Sequence, residues 1–300
     1  MRLKLTTILL FCLFIFACKE QKQTTQTPVK ISTKKEEKKL SPAYKPNQQF
    51  KDYWYAGKAE ITSYKLEQAR YGEIHDGKAV LVYVTEPFLP NVQVKADQKN
   101  PENVSVLKLN ATKKFNTGIY PYSIMQSTFY PVANNQHALK VSASIQEWYG
   151  QVYTQINNRE QFEVTSHSYF EGEADQNFNL EKTVLENEIW TQLRIDPNSL
   201  PTGDFKIIPS LEYIRLKHKP LKAYNAFAEL SKGKYTLLIE ELNKTLTINF
   251  ENNFPFTITS WEETIDGLTT KATKLNTINT AYWNQNSNTD LPLRKSLQLD

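Results

Sequence analysis

One cysteine stands where its surroundings give it chemistry. Cys18 closes an apolar run over residues 5–16 that starts behind Met1-Arg2-Leu3-Lys4, and polar sequence begins directly after it. A basic start followed by a short apolar core suits an export signal, since a bilayer-spanning helix needs about 20 residues. Ile15 and Ala17 occupy the aliphatic and small positions of a bacterial lipid-modification signal, while Phe16 departs from the small or polar residue usual in its slot. The expected outcome is removal of residues 1–17 and acylation of the Cys18 thiol. Each buried methylene contributes about 0.8 kcal/mol, so several chains on one cysteine anchor a protein nearly irreversibly. The expected partner is therefore a membrane, reached through the lipid. Cys12 leaves with the signal, which excludes disulfides, cysteine metal sites and cysteine nucleophiles in the mature chain.

The remaining candidates for chemistry are weaker. Glu171, Glu173 and Asp175 alternate, and in an extended segment they would share a face able to gather a divalent cation. They lack the ordered oxygen spacing of a calcium loop, so they read as an acidic, solvated turn. His75, His137, His167 and His218 are scattered and form no HExxH spacing, so no metal site is expected. With nine glycines in 300 residues and no GxSxG or SxxK, neither a phosphate-cradling loop nor a serine nucleophile is indicated, and no cofactor is expected. Glu240-Glu241 and Glu262-Glu263 are adjacent carboxylates that a strand would send to opposite faces, so they read as edge or solvent charges rather than a glycosidase pair. Aromatic clusters occur at Tyr53-Trp54-Tyr55, Tyr120-Pro121-Tyr122, Trp148-Tyr149, Trp261 and Tyr282-Trp283. Such rings at strand ends form sugar- or lipid-contacting surfaces, or fill a β core and its rim, and the second use is the expected one.

The elements that must position these residues divide the chain into four parts. Residues 18–48 hold the lipidated cysteine and a tether rich in Lys, Gln, Thr and Ser, with too little apolar surface to fold and a random-coil reach of roughly 30 Å. Arg2 and Lys4 give the signal +2, and eight lysines against Glu20, Glu36 and Glu37 give the tether +5. The chain's +4 thus leaves −3 for residues 49–300. The folded part has no basic excess, which argues against nucleic acid as a partner. Residues 49–284 read as a β domain, with the strongest hairpin pairing 59–73 with 78–86 across Ile74-His75-Asp76-Gly77. Further strands are expected at 104–109, 124–130, 139–147, 150–156, 161–169, 205–208, 212–218, 222–229, 234–242, 244–250, 256–263 and 269–276. Leu180, Val184, Leu185, Ile189, Trp190 and Leu193 recur at three- and four-residue steps and predict one amphipathic helix over 180–194, ended by Asp196-Pro197. Residues 285–300 read as a flexible tail. The expected fold class is mainly β: a large curved antiparallel sheet or half-barrel with one helix across its apolar face.

Several phrases resemble a group of lipid-anchored proteins of gliding and related bacteria that often carry the label septum formation inhibitor Maf. They are Tyr53-Trp54-Tyr55-Ala56-Gly57-Lys58-Ala59-Glu60-Ile61, Ser63-Tyr64-Lys65-Leu66, Gln68-Ala69-Arg70-Tyr71-Gly72-Glu73 and Pro209-Ser210-Leu211-Glu212-Tyr213-Ile214-Arg215-Leu216. Maf pyrophosphatases themselves are cytoplasmic α/β proteins with an N-terminal Ser-Pro-Arg-Arg motif, which this chain lacks, so the resemblance implies an address and no catalytic residue. The order of elements also resembles the half-barrels with a covering helix of periplasmic lipoprotein carriers. That resemblance implies an apolar ligand pocket under the helix, lined by residues such as Phe162, Val164, Trp190 and Leu193.

The functional expectation is a non-enzymatic envelope lipoprotein that binds or scaffolds an envelope lipid, glycan or protein. The alternatives are a carrier of an apolar ligand, and an envelope glycan hydrolase or the labelled pyrophosphatase. Lys19 stands after the cysteine in place of the aspartate of an inner-membrane retention signal, which favours the outer membrane. Lys19-Glu20-Gln21-Lys22 only partly matches a surface-export tag, so either face of that membrane stays open.

Overall fold

The computed structural model describes residues 42–300; the signal segment, Cys18 and most of the tether lie outside the described residues. Helix α1 (Gln48–Trp54) opens the domain and is capped by Asn47, whose Oδ1 accepts the Phe50 N–H at 2.8 Å. A run of strands follows: β1 (Ala59–Arg70), β2 (Glu73–Leu89), β3 (Val94–Lys95), β4 (Val104–Thr117), β5 (Tyr120–Pro131), β6 (Lys140–Glu147), β7 (Gly150–Asn158), β8 (Phe162–Ser168) and β9 (Gln176–Leu180). Then come β10 (Val184–Leu185), α2 (Glu186–Ile195), β11 (Gly203–Ile208) and α3 (Leu211–Lys217). The chain finishes with β12 (Tyr224–Ser231), β13 (Lys234–Ile239), β14 (Lys244–Phe250), β15 (Ile258–Ile265), β16 (Leu268–Thr280) and α4 (Pro292–Ser296).

All the strands form one sheet in the order β10-β11-β12-β13-β14-β15-β16-β1-β2-β4-β5-β6-β7-β8-β9, with β3 paired to β2. The path is antiparallel apart from the short parallel pair β10–β11. Its two edge strands, β9 and β10, are separated in the chain only by Glu181-Lys182-Thr183. Four peptide steps span at most about 14 Å, so the sheet must curl back toward its own beginning. No ladder joins β9 to β10, and the curl stays open. The protein is thus mainly β, built on a large curved antiparallel sheet, as the strand spacing in the sequence implies.

The chain turns into this curl directly after the seam. Helix α2 packs on β4 and β5, and α3 on β5 and β6. A helix wrapped by a sheet is buried on most sides, and in α2 even Glu186, Asn187, Glu188 and Arg194 are buried with Ile189, Leu193 and Ile195. The main core lies inside the curl and gathers Phe50, Trp54, Tyr64, Leu66, Tyr83, Phe162 and Ile248 around these helices.

Four local expectations are corrected. The helix predicted over 180–194 starts only at Glu186: Leu180 ends β9, and Val184 and Leu185 pair with Ile207 and Ile208. The apolar spacing is shared because two edge strands and a helix face one core. Residues 212–218, read as a strand, form α3, which Ser210 starts by accepting the Tyr213 N–H at 3.2 Å. The hairpin turn is at Tyr71-Gly72, not at 74–77, and Gly77 lies mid-strand between Leu66 and Phe115. Glycine is needed there for close approach, since a Cβ would lie 2.5 Å from the Lys114 carbonyl oxygen. The segment read as a flexible tail includes α4 and packs Leu297 on Ala59, Ile61 and Val84, on the face of the sheet away from α2.

Candidate functional site

Inside the curl, charge enters the core on strand positions that alternate with apolar ones. Glu60 shares its face of β1 with Tyr64 and Leu66, Lys244 shares its face of β14 with Leu246 and Ile248, and Glu263 follows Trp261 on β15. Arg194 of α2 reaches Glu60 through two nitrogens, at 2.7 and 2.6 Å, and donates a third bond to the Pro255 carbonyl at 2.8 Å. Its guanidinium also lies 4.6 Å from the Tyr83 ring centre and 5.0 Å from that of Trp54. Burial works to raise the Glu60 carboxyl, but the Arg194 guanidinium outweighs it and holds the group below the usual carboxylate range. The neighbouring Tyr53 hydroxyl, which donates to Glu60 at 2.5 Å, is pushed up to about 12 by burial and by that carboxylate.

A second buried cation meets the opposite end of α2. The Lys244 ammonium contacts Glu263 and lies 3.0 Å from Glu186. Burial raises the Glu186 carboxyl despite the lysine, whereas at Glu263 the lysine overcomes burial and lowers it. Burial works to lower the Lys244 amine, but its two carboxylates raise it. Beside this triad, Glu212 of α3 accepts from Lys113 at 2.7 Å and from Gln126 at 2.9 Å, and Gln126 in turn accepts from Asn187 at 2.8 Å. These groups and Trp190, Trp261, Leu81 and Leu109 border a cleft of about 50 Å³. That space suits one or two waters, far below the roughly 300 Å³ at which small-molecule pockets begin. The carboxylates on its wall are engaged by lysine or amide groups, which makes the arrangement a satisfied polar interior.

A different surface forms at one end of the sheet. The turns β1–β2, β4–β5, β6–β7 and β8–β9 all fall there, because antiparallel pairing returns alternate turns to the same end. Tyr120 stacks near Trp148 and Tyr149, with ring centres 6.3 and 6.0 Å apart, and Tyr169 lies on Gly150. Tyr71 and Tyr122 share a hydroxyl–hydroxyl bond of 2.8 Å beside Arg70.

No family model matches the sequence, and no curated protein matches it either. Among solved structures the chain is similar to a beta-barrel-like protein of the domain of unknown function DUF1849 from Brucella abortus. The identity is 5%, the match covers 74% of this chain and 98% of that one, and the TM-score is 0.45.

The residues picked out in the sequence separate in space. Of Phe162, Val164, Trp190 and Leu193, only Trp190 borders the cleft; the other three are packed in the main core. Cys18 lies outside the described residues. Glu173 accepts from Ser168 and meets His218, each at 2.6 Å, while Asp175 meets His167 at 3.2 Å. Among the described residues no three His, Cys, Asp or Glu side chains converge as metal ligands. Glu263, read as a solvent charge, faces inward onto Lys244, while Glu262 turns outward to Lys271 at 3.1 Å. The aromatic clusters divide: Trp54 and Trp261 are core, whereas Trp148 and Tyr149 are exposed. Reading alone missed the inward charges Glu60, Arg194 and Lys244, although each strand charge sits in phase with an apolar face.

Proposed function

We propose that the chain is a lipid-anchored cell-envelope protein, held at the outer membrane through Cys18, whose β domain binds or scaffolds an envelope component without catalysing a reaction. The observation that carries the binding half is the filled interior. The cleft beside α2 holds about 50 Å³ and the hollow between α3 and β7–β9 about 220 Å³, both below the roughly 300 Å³ at which small-molecule pockets begin, and the inward carboxylates Glu212, Glu186 and Glu60 are held by Lys113, Lys244 and Arg194. That supports display of an outer surface over the carrier and hydrolase readings. The anchoring half is supported by residues 1–18 and by the resemblance to lipid-anchored envelope proteins.

Fractionation tests the anchor. Wild-type protein is expected in the membrane fraction with labelled palmitate incorporated, and Cys18→Ala in the soluble fraction without it; a membrane-bound Cys18→Ala beside an unlabelled wild type would overturn this half. Native mass spectrometry tests the other half. A bare polypeptide mass for the Cys18→Ala protein is expected, and a stoichiometric co-purifying acyl ligand would transfer the reading to a carrier.

A further inference from the structure

We infer that the aromatic end of the sheet is a stacking site for a neutral glycan chain, an inference that rests on the envelope reading above and names the class of its partner. Ile119, Tyr169, Trp148 and Tyr149 are 85%, 74%, 69% and 68% exposed, far beyond what rim packing leaves open. They are neighbours: Tyr120 bridges Ile119 to Trp148 and Tyr149, and Tyr169 lies so close to Gly150 that a Cβ there would meet its ring at 2.8 Å. Large apolar side chains gathered on neighbouring hairpin tips mark an interaction surface, whereas single exposed apolar residues need no explanation.

Charge chooses the occupant. The turn that follows Tyr169 carries Glu171, exposed and without an ion pair among the described residues, and Asp175, which meets His167 at 3.2 Å. Carboxylates repel phosphate backbones and acidic headgroups, but they accept hydrogen bonds from hydroxyls, and the C–H faces of pyranose rings stack on Trp and Tyr. The chain enters the domain at the other end, where the Tyr44 N–H donates to the Ala133 carbonyl at 2.7 Å. The 12 residues of β5 separate the two ends, roughly 36 Å at the usual strand rise. The chain thus joins the domain at the pole opposite the rings.

The test uses the full chain with its anchor, extracted into a polyoxyethylene detergent, and the Cys18→Ala chain in buffer. Chitohexaose and cellohexaose are the probes. Acrylamide quenching of tryptophan emission is expected to fall on addition of at least one oligosaccharide, equally in both preparations. Tyr149→Ala and Ile119→Ser, which keep Trp148 as the reporter, are expected to weaken binding by about tenfold or more, and Trp283→Phe to leave it intact. Circular dichroism and thermal melting confirm that these exposed-site variants fold. No protection with either sugar up to about 10 mM, or an undiminished response in Tyr149→Ala, would overturn the inference. So would binding of the Cys18→Ala chain to phosphatidylcholine or phosphatidylglycerol vesicles that Tyr149→Ala abolishes, which would make the occupant a membrane. Because the Cys18→Ala chain is assayed too, failure of the glycan site and failure of the anchor read out separately.

Discussion

Arg194 shows how a single buried charge sets the behaviour of its surroundings. Removing one member of a buried pair leaves the other unpaired in the core, so Arg194→Met is expected to cost about 3–5 kcal/mol in urea unfolding. Replacing both partners, in Glu60→Leu/Arg194→Met, is expected to recover most of that loss, because neither charge then has to be desolvated. The pair also fixes a pH dependence. The Arg194 guanidinium holds the Glu60 carboxyl of the folded state below the usual carboxylate range, so the folded form resists protonation. Its contribution is complete above about pH 4.5 and is lost as pH falls through the lowered folded value. Glu186 has the opposite sign: raised by burial, it favours folding when protonated, and that contribution is lost as pH rises through its folded value. Unfolding measured from pH 7 down to pH 3 (about the range that ordinary carboxylates span) should show an acid loss in the wild type that is reduced in the Glu60→Leu/Arg194→Met variant. An unchanged slope would mean that other carboxylates govern acid stability.

At the scale of elements, the strands were legible and the punctuation was not. Val104–Thr117, Lys140–Glu147, Lys244–Phe250 and Leu268–Thr280 follow the alternation and β-branched content visible in the sequence, differing at their ends. Asp76-Gly77 carried the strongest local turn signal and still became strand, because Gly77 answers a tertiary demand, the approach of the Lys114 carbonyl. Gly77→Ala is therefore expected to cost about 1–3 kcal/mol through displaced backbone. Gly72→Ala, at φ +84° with open space around its Cβ position, should cost only about 1–2 kcal/mol for its left-handed backbone. Thermal denaturation of the two variants ranks them. The ends of α2 and the helical state of α3 escaped detection for a related reason: within a curled sheet, strand edges and helices point apolar residues at the same centre, so spacing does not separate them. The polar interior was half legible, since Lys244, Leu246 and Ile248 alternate in phase, but their partners on α2 are distant in sequence.

For the molecule as a whole, one sheet carries a core on each face. The tail covers the smaller one through Leu297, which is 5% exposed. Deleting residues 285–300 is expected to uncover Ala59, Ile61 and Val84 and to lower stability by about 1–3 kcal/mol, the worth of one buried leucine, while leaving the far-ultraviolet strand signal in place. Loss of the strand signal would show that the tail is needed to form the sheet at all. The main core has a different history built into its connectivity. Ten of the sixteen strands precede α2 along the chain, so as synthesis or export proceeds from the N-terminus, more than half of the curl exists before the helices that will fill it. Until residues 186–217 arrive, the inner faces of β1, β2, β4 and β5 have no partner but solvent or a chaperone. A pause at that point is where this protein is most exposed to sticking to its neighbours.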